Sequence, residues 1–189
     1  MADWPAWATE RVEIHPADPE WQRRGEQACR DLDAALAAWL VAPVEHVGST
    51  AVPGLAAKPI LDLQAAVADL DCAPLVVEAL GEEWRLVPPE LDARPWRRFL
   101  VHVVNDTRAA HLHLMAPDSE RWAQQLTFRD ALRQDPGLVR QYADLKRQLA
   151  AEHTGDREAY TAAKRGFIDA VRRGRRPWTT VVERPDAGT

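Results

Sequence analysis

Cysteine is scarce, with only Cys29 and Cys72 in 189 residues. A disulfide framework needs more, so the chain must rest on its core, and a reduced, cytoplasmic setting with two structural thiols is expected. Long apolar runs are missing too. No stretch approaches the ~18 residues of a membrane span, and the opening Met1-Ala-Asp-Trp has neither the basic nor the apolar region of an export signal. Neither membrane insertion nor secretion is expected. Positive charge is also short: 24 Lys and Arg stand against 29 Asp and Glu, a net charge of -5, which argues against a general nucleic-acid coat. No G-x-G-x-x-G occurs, and the segment Gly48 to Lys58 lacks the Gly-Lys-Ser/Thr ending of a P-loop.

What is present suits one domain long enough to bury most of its apolar surface, spanning 1–176 with a frayed tail at 177–189. Eight Trp residues are scattered along the chain, as packing anchors would be. Arg94, Arg97 and Arg98 form one basic cluster and Arg172, Arg173, Arg175 and Arg176 another, and a solvated face accounts for both. Asn105-Asp106-Thr107 matches a glycosylation sequon, but without an export signal it reads as a turn.

The first helix is expected to begin with Asp18 as N-cap and Pro19 at N1, because Trp21, Cys29, Leu32, Leu36 and Trp39 keep a helical period. Strands follow at Val44 to Val47 and Ile60 to Val67, with a tight polar loop from Gly48 to Pro59 between them. Asp71 and Pro74 open a helix through Leu80, and Trp84 to Val87, Phe99 to Val104 and His111 to Met115 read as strands. Three prolines make Pro88 to Arg98 an exposed loop. Helices are expected at 119–134, 137–153 and 157–173. The order predicts an α+β fold, with the sheet core at about 40–116 covered by helices on one face and a helical C-terminal half packed against it.

Strand alternation groups the polar side chains. In Ile60 to Ala65, Asp62 and Gln64 project together; in His111 to Leu114, both histidines do; His46 goes with Val44. If these strands are neighbours, Asp62, Gln64, His111 and His113 share one face. Two imidazoles and a carboxylate can ligate a divalent ion, or the histidines can sit on a half-exposed strand and bond to neighbours. Gly48-Ser49-Thr50, directly after a strand, can bring backbone N–H groups and two hydroxyls to a phosphate, or be an ordinary turn.

The whole string His46-Val-Gly-Ser-Thr-Ala-Val-Pro-Gly-Leu-Ala-Ala-Lys-Pro-Ile-Leu-Asp62 closely resembles the signature of the GrpB family, also called UPF0157. The likeness continues through Pro16-Ala-Asp-Pro-Glu-Trp21, His111-Leu-His113, Phe128-Arg129-Asp130, Tyr142-Ala-Asp-Leu-Lys146 and Tyr160-Thr-Ala-Ala-Lys164, from about Val12 to Arg173. The resemblance implies a nucleotidyltransferase-like core, in which a Gly-Ser element holds a triphosphate and acids on the next strand hold magnesium. Carried over, Gly48, Ser49 and Thr50 become phosphate candidates and Asp62 a metal ligand for Mg2+ or Mn2+. Gln64 stands where the wider pattern has a second acid, a poorer ligand for a hard cation, and His111, His113 or Glu45 is expected to compensate. The loop from Pro88 to Arg98 lacks the glycine expected in relatives, which points to a changed acceptor preference.

Lys146 and Lys164 each follow a tyrosine by four residues and so lie beside it on one helix face. Each can reach a phosphate or snorkel at the edge of an apolar stripe. Lys58 is the better anion contact, and Arg129 ranks with Lys146. The resemblance thus implies an enzyme that uses a nucleoside triphosphate and magnesium to transfer a nucleotidyl group to a small-molecule acceptor, activating a carboxylate or amine. A degenerate module binding a nucleotide or CoA-like ligand, and a His/Asp metal-dependent hydrolase, are the alternatives.

Overall fold

In the computed structural model, which describes Trp7 and residues 11–175, the expected tail at 177–189 lies outside the described residues. Helix α1 (Glu20–Ala35) starts one residue later than expected, yet Asp18 still caps it: Asp18 Oδ1 accepts from Glu20 N at 2.9 Å. Leu36 closes α1, so Trp39 sits in the turn that follows and not on the helix.

Strand β1 (Leu40–Val47) begins four residues before the expected start. Its pairing is irregular between Ala42 and Glu45, around Pro43, which an edge strand tolerates because proline has no N–H to offer. Asp33 of α1 accepts from Val44 N at 2.8 Å, so a helix carboxylate steadies the disturbed stretch. A single 3-10 turn (Ser49–Ala51) leads through a loop to β2 (Leu61–Val67). Then come α2 (Ala73–Leu80), β3 (Trp84–Val87), the one-turn α3 (Pro89–Asp92), β4 (Arg97–Val104) and β5 (Thr107–Met115). Asn105 and Asp106, with φ of 50° and 57°, form the two-residue turn of the β4–β5 hairpin, the left-handed geometry that matches strand twist. Asn105 and Asp106 of the sequon form the turn, and Thr107 opens β5.

The sheet runs β1-β2-β5-β4-β3, with β2 parallel to β5 and every other pair antiparallel. Leu61, Leu63, Ala65 and Val67 of β2 and Leu112 and Leu114 of β5 face a core shared with α1 and α2. The C-terminal half is α4 (Glu120–Gln134), α5 (Pro136–Glu152), α6 (Arg157–Ala163) and α7 (Arg165–Arg172). The single helix expected at 157–173 is therefore two, divided at Lys164. Here α4, α5 and α7 enclose a second core with Val52, Leu55 and Ala56 from the loop before β2. Contacts from α4 reach the opposite face of the sheet: Arg129 binds Glu45, and Gln64 Nε2 donates to Trp122 O at 3.4 Å. Helices thus attach to both faces, and β2 is buried between them. Among the described residues no helix is long and apolar enough to cross a membrane.

Pro88 to Arg98 is not an exposed loop throughout. Asp92 and Arg97 are buried and joined by two hydrogen bonds, Nε to Oδ2 at 2.8 Å and Nη2 to Oδ1 at 2.6 Å. A bidentate carboxylate–guanidinium pair is the geometry that tolerates such burial, so Arg97 leaves the solvated cluster to which it was assigned.

Candidate functional site

Asp62 pairs with His111 and Gln64 with His113 in the β2–β5 register. Period-2 alternation therefore delivers all four to the face opposite the α1–α2 core. His111 Nδ1 donates to Asp62 Oδ1 at 2.9 Å, and His113 Nε2 stands 4.0 Å from the same oxygen. Phe99, opposite His113 on β4, packs against both imidazoles at centroid distances of 5.0 and 5.2 Å. The Asp62 side chain is 34% exposed and each histidine 12%, so the carboxylate is the part that meets solvent.

Burial alone would raise the Asp62 carboxyl. The hydrogen bond from His111 and the nearby His113 outweigh it and hold the group well below the usual carboxylate range. Burial lowers His111, and lowers His113 to about 4 with the Arg97 charge adding to the effect against the pull of Asp62. The site is thus an ionised carboxylate between two neutral imidazoles.

Gly48 lies against that carboxylate. Its φ of 70° and ψ of -165° suit glycine alone, and a Cβ there would overlap Asp62 Oδ2 and stand 2.8 Å from Asp62 Cβ. Ser49 follows. Lys146 Nζ of α5 donates to Ser49 Oγ at 2.9 Å and to Ala56 O. Lys146 is 2% exposed, so it is not a snorkelling side chain. Burial pushes its ammonium down to about 6, and Lys164 and Arg147 add to this. Its Nζ lies 4.9 Å from the Tyr142 ring centre, while Lys164 and Lys58 lie 4.2 and 5.6 Å from that of Tyr160. Burial and the neighbouring Lys58 bring Lys164 down to about 8. Three lysines from three separate segments are therefore close enough to depress one another, with Lys146 on Ser49 and Lys58 and Lys164 over the Tyr160 ring, and Asp62 opposes the shift of Lys146 and Lys164.

Three other candidates stand apart. Thr50 Oγ1 donates to Ile60 O at 3.1 Å and meets His46 Nε2 at 3.0 Å, so its hydroxyl is engaged in the interior. His46 pairs with Leu63, putting it on the apolar face beneath α1, where its ring occupies the space a side chain at Gly25 would need. Burial lowers His46 to about 4. Arg129 bonds Glu45 Oε2 at 2.7 Å, His46 O at 2.9 Å and Asp130 Oδ1 at 2.8 Å, clamping α4 to β1. Arg129 and Glu45 thereby neutralise each other, and Glu45 is not released to replace a missing acid.

His111 and His113, expected as metal ligands with Asp62, both face the Asp62 carboxylate. Among the described residues no group of three or more His, Cys, Asp or Glu side chains is arranged to hold a metal ion. Gln64 is 0% exposed, and its Oε1, like His111 Nε2, has no hydrogen-bond partner. The sequence reading missed Arg97, which reaches His113 Nδ1 with Nη1, and Phe99. The signal was there: Arg97, Phe99 and Val101 alternate onto the histidine face.

The GrpB protein family model matches residues 11–173. A UPF0157 protein of Pseudomonas aeruginosa is 37% identical over 176 residues, covering 85% of this chain but only 66% of that protein's own length. The crystal structure of the conserved protein GrpB from Enterococcus faecalis superimposes with a TM-score of 0.72 at 29% identity, covering 86% of this chain and 96% of that one. The structure of the GLD-2/RNP-8 complex, at 13% identity and a TM-score of 0.55 over 83% of this chain and 61% of that one, is similar in fold alone. With signature, sheet and nearly full-length match in agreement, the chain belongs to the GrpB family.

Proposed function

We propose that this chain binds a nucleoside triphosphate at the Gly48–Ser49 turn and transfers its nucleotidyl group to a small-molecule acceptor. One observation carries the reading. Lys146 is buried against the Ser49 hydroxyl, and among the described residues neither it nor Lys164 forms an ion pair with a carboxylate. A buried ammonium without a counter-charge is costly, and phosphate oxygens would offset that cost. Ser49, Lys146, Lys164 and Lys58 hold the phosphates, while Gly48 permits their close approach to the backbone.

A magnesium or manganese ion needs one or two carboxylate oxygens when phosphates and water supply the rest. Asp62 Oδ2 meets that need, because Gly48 leaves open the space beside it that a Cβ would fill. The residues therefore fit one ion shared with the triphosphate and not a cage built by protein alone. Such an ion, when bound, neutralises phosphate charge that develops during transfer. His111 and His113 keep Asp62 ionised and oriented, and Phe99 packs against both imidazoles. The test is calorimetric titration of ATP with and without magnesium, on the native chain and on Asp62→Asn. Magnesium-enhanced binding that Asp62→Asn abolishes is expected; equal affinity in all four cases would overturn the assignment.

Gln64 favours a second reading, a module that binds a nucleotide or CoA-like ligand without turnover. A neutral amide stands at the second-acid position and is locked by Trp122 O, and two-ion phosphoryl transfer needs both acids. Pyrophosphate release over a panel of carboxylate and amine acceptors separates the two. A hydrolase centred on Asp62, His111 and His113 finds no ligand cage to support it.

A further inference from the structure

Beyond the phosphate site lies a chain of linked groups whose first two members, the buried Asp92 and Arg97, the proposed function leaves without a role. It runs from Asp92 through Arg97 to His113 and ends at Asp62. Its chemistry leaves little freedom. A guanidinium has five N–H donors and no acceptor, so any imidazole nitrogen it meets must present a lone pair. Arg97 meets His113 Nδ1, so the single proton of neutral His113 lies on Nε2, the atom that faces Asp62 Oδ1. An ionised carboxylate only accepts. His111 meets Asp62 through Nδ1, so its proton lies there and its Nε2 is bare.

We propose that Arg97, held by Asp92, is a positioning residue that locks His113 in the Nε2–H tautomer, opposite to that of His111, so that the His111 N–H bonds Asp62 Oδ1 while the His113 N–H faces the same oxygen from 4.0 Å, leaving Oδ2 toward the Gly48–Ser49 turn. The functional part rests on the reading that Asp62 Oδ2 serves the phosphates; the tautomers do not.

Several features make Arg97 suited to this. It is buried, its Nε and Nη2 are fixed on Asp92, and its Cζ lies 4.2 Å from the Phe99 ring centre and 5.3 Å from that of Trp96. Only Nη1 remains to reach His113. Packing on two aromatic faces and a bidentate carboxylate leave the guanidinium one orientation. Without it, His113 is free to place its proton on Nδ1. A bare Nε2 would then confront Asp62 Oδ1, lone pair against lone pair, and the carboxylate would lose the N–H dipole that faces it.

Long-range 1H–15N correlation on histidine-labelled, ligand-free protein reads both tautomers, with His111→Gln and His113→Gln supplying the assignments. Native protein is expected to show His111 as Nδ1–H and His113 as Nε2–H. Arg97→Met should convert His113 to a mixture with substantial Nδ1–H. Arg97→Lys, another donor without an acceptor, should keep Nε2–H and rescue the pattern. Asp92→Asn/Arg97→Met removes both buried charges together, so the experiment survives a single variant that fails to fold. Nδ1–H on His113 in the native protein, or an unchanged His113 in both Met variants, would overturn the proposal. Since no ligand is present, this failure is distinct from failure of the nucleotide reading. If the tautomers respond as expected, ATP titration should show Arg97→Met losing at least about tenfold of the magnesium-dependent affinity while magnesium-free binding is retained. Loss of both equally would reduce Arg97 to a structural role.

Discussion

Lys146 Nζ donates to Ser49 Oγ at 2.9 Å across 97 positions of sequence, joining the middle of α5 to the turn that ends β1. This contact puts a buried amine, which a phosphate would charge, where the family resemblance expects a phosphate. Replacing Lys146 by Met, similar in shape and never charged, should leave the ligand-free protein as stable or up to about 2 kcal/mol more stable, because the cost of stripping the proton from a buried amine is removed. ATP affinity should fall by more than about tenfold, since a charge-assisted phosphate contact is lost. Chemical denaturation and calorimetric titration check the two halves; a strongly destabilised variant that still binds ATP would contradict both.

The same lysine gives binding a pH signature. With the folded amine held down to about 6, it is largely neutral in free protein at about pH 7.5. A phosphate beside it favours the charged form, so nucleotide binding should take up protons, and affinity should weaken as pH rises above about 6. Calorimetry in buffers of different ionisation enthalpy measures the uptake, which should shrink sharply in Lys146→Met.

Stability follows the opposite trend. Between about 6 and the ordinary lysine value of 10.5, the unfolded amine holds a proton that the folded one lacks. The unfolded state binds more protons there, so this group makes stability rise with pH by up to about 1.4 kcal/mol per unit, with no slope below about 6. The difference between denaturation curves of native and Lys146→Met protein across that range isolates the contribution.

Gly48→Ala brings a Cβ onto Asp62 at a left-handed φ of 70°. The expected outcome is a loss of about 1–3 kcal/mol in stability together with loss of magnesium-dependent binding, read by denaturation and titration. A variant with native affinity would show that the turn does not shape the site.

Thr50→Val and Gly25→Ala test the other side of β1. The first removes the hydroxyl shared by Ile60 O and His46, and the second intrudes on the His46 ring. Each should cost about 1–3 kcal/mol, while ATP affinity of the folded fraction stays unchanged. A selective loss of ATP affinity in Thr50→Val would return Thr50 to the phosphate site.

Much of the centre could be read from the chain because a strand has a strict two-residue period. Asp62 and Gln64, and His111 and His113, were grouped by alternation, and the parallel pairing of β2 with β5 sets them side by side. The same rule applied to His46 separates it from Asp62, sixteen positions on, because His46 pairs with Leu63 on the apolar face. Arg97 escaped because the prolines around it suggested an open loop, whereas Asp92, five positions earlier, offers a buried carboxylate that draws it inward. Lys146 and Arg129 looked alike as basic residues on amphipathic helices. One docks against Ser49 and the other against Glu45, and that difference arises only once α4 and α5 are packed.

Local order belongs to the sequence: helix caps, the hairpin turn at Asn105-Asp106, the faces of β2 and β5, and the glycine that lets the chain turn beside Asp62 are each set by neighbours a few positions away. Tertiary structure alone decided that lysines from a loop, α5 and the α6–α7 junction cluster between Ser49 and Tyr160, and that both histidines turn toward Asp62. The physical reason is range. Backbone geometry and capping act within a turn or a strand, while desolvation and charge pairing depend on which distant segments burial brings together.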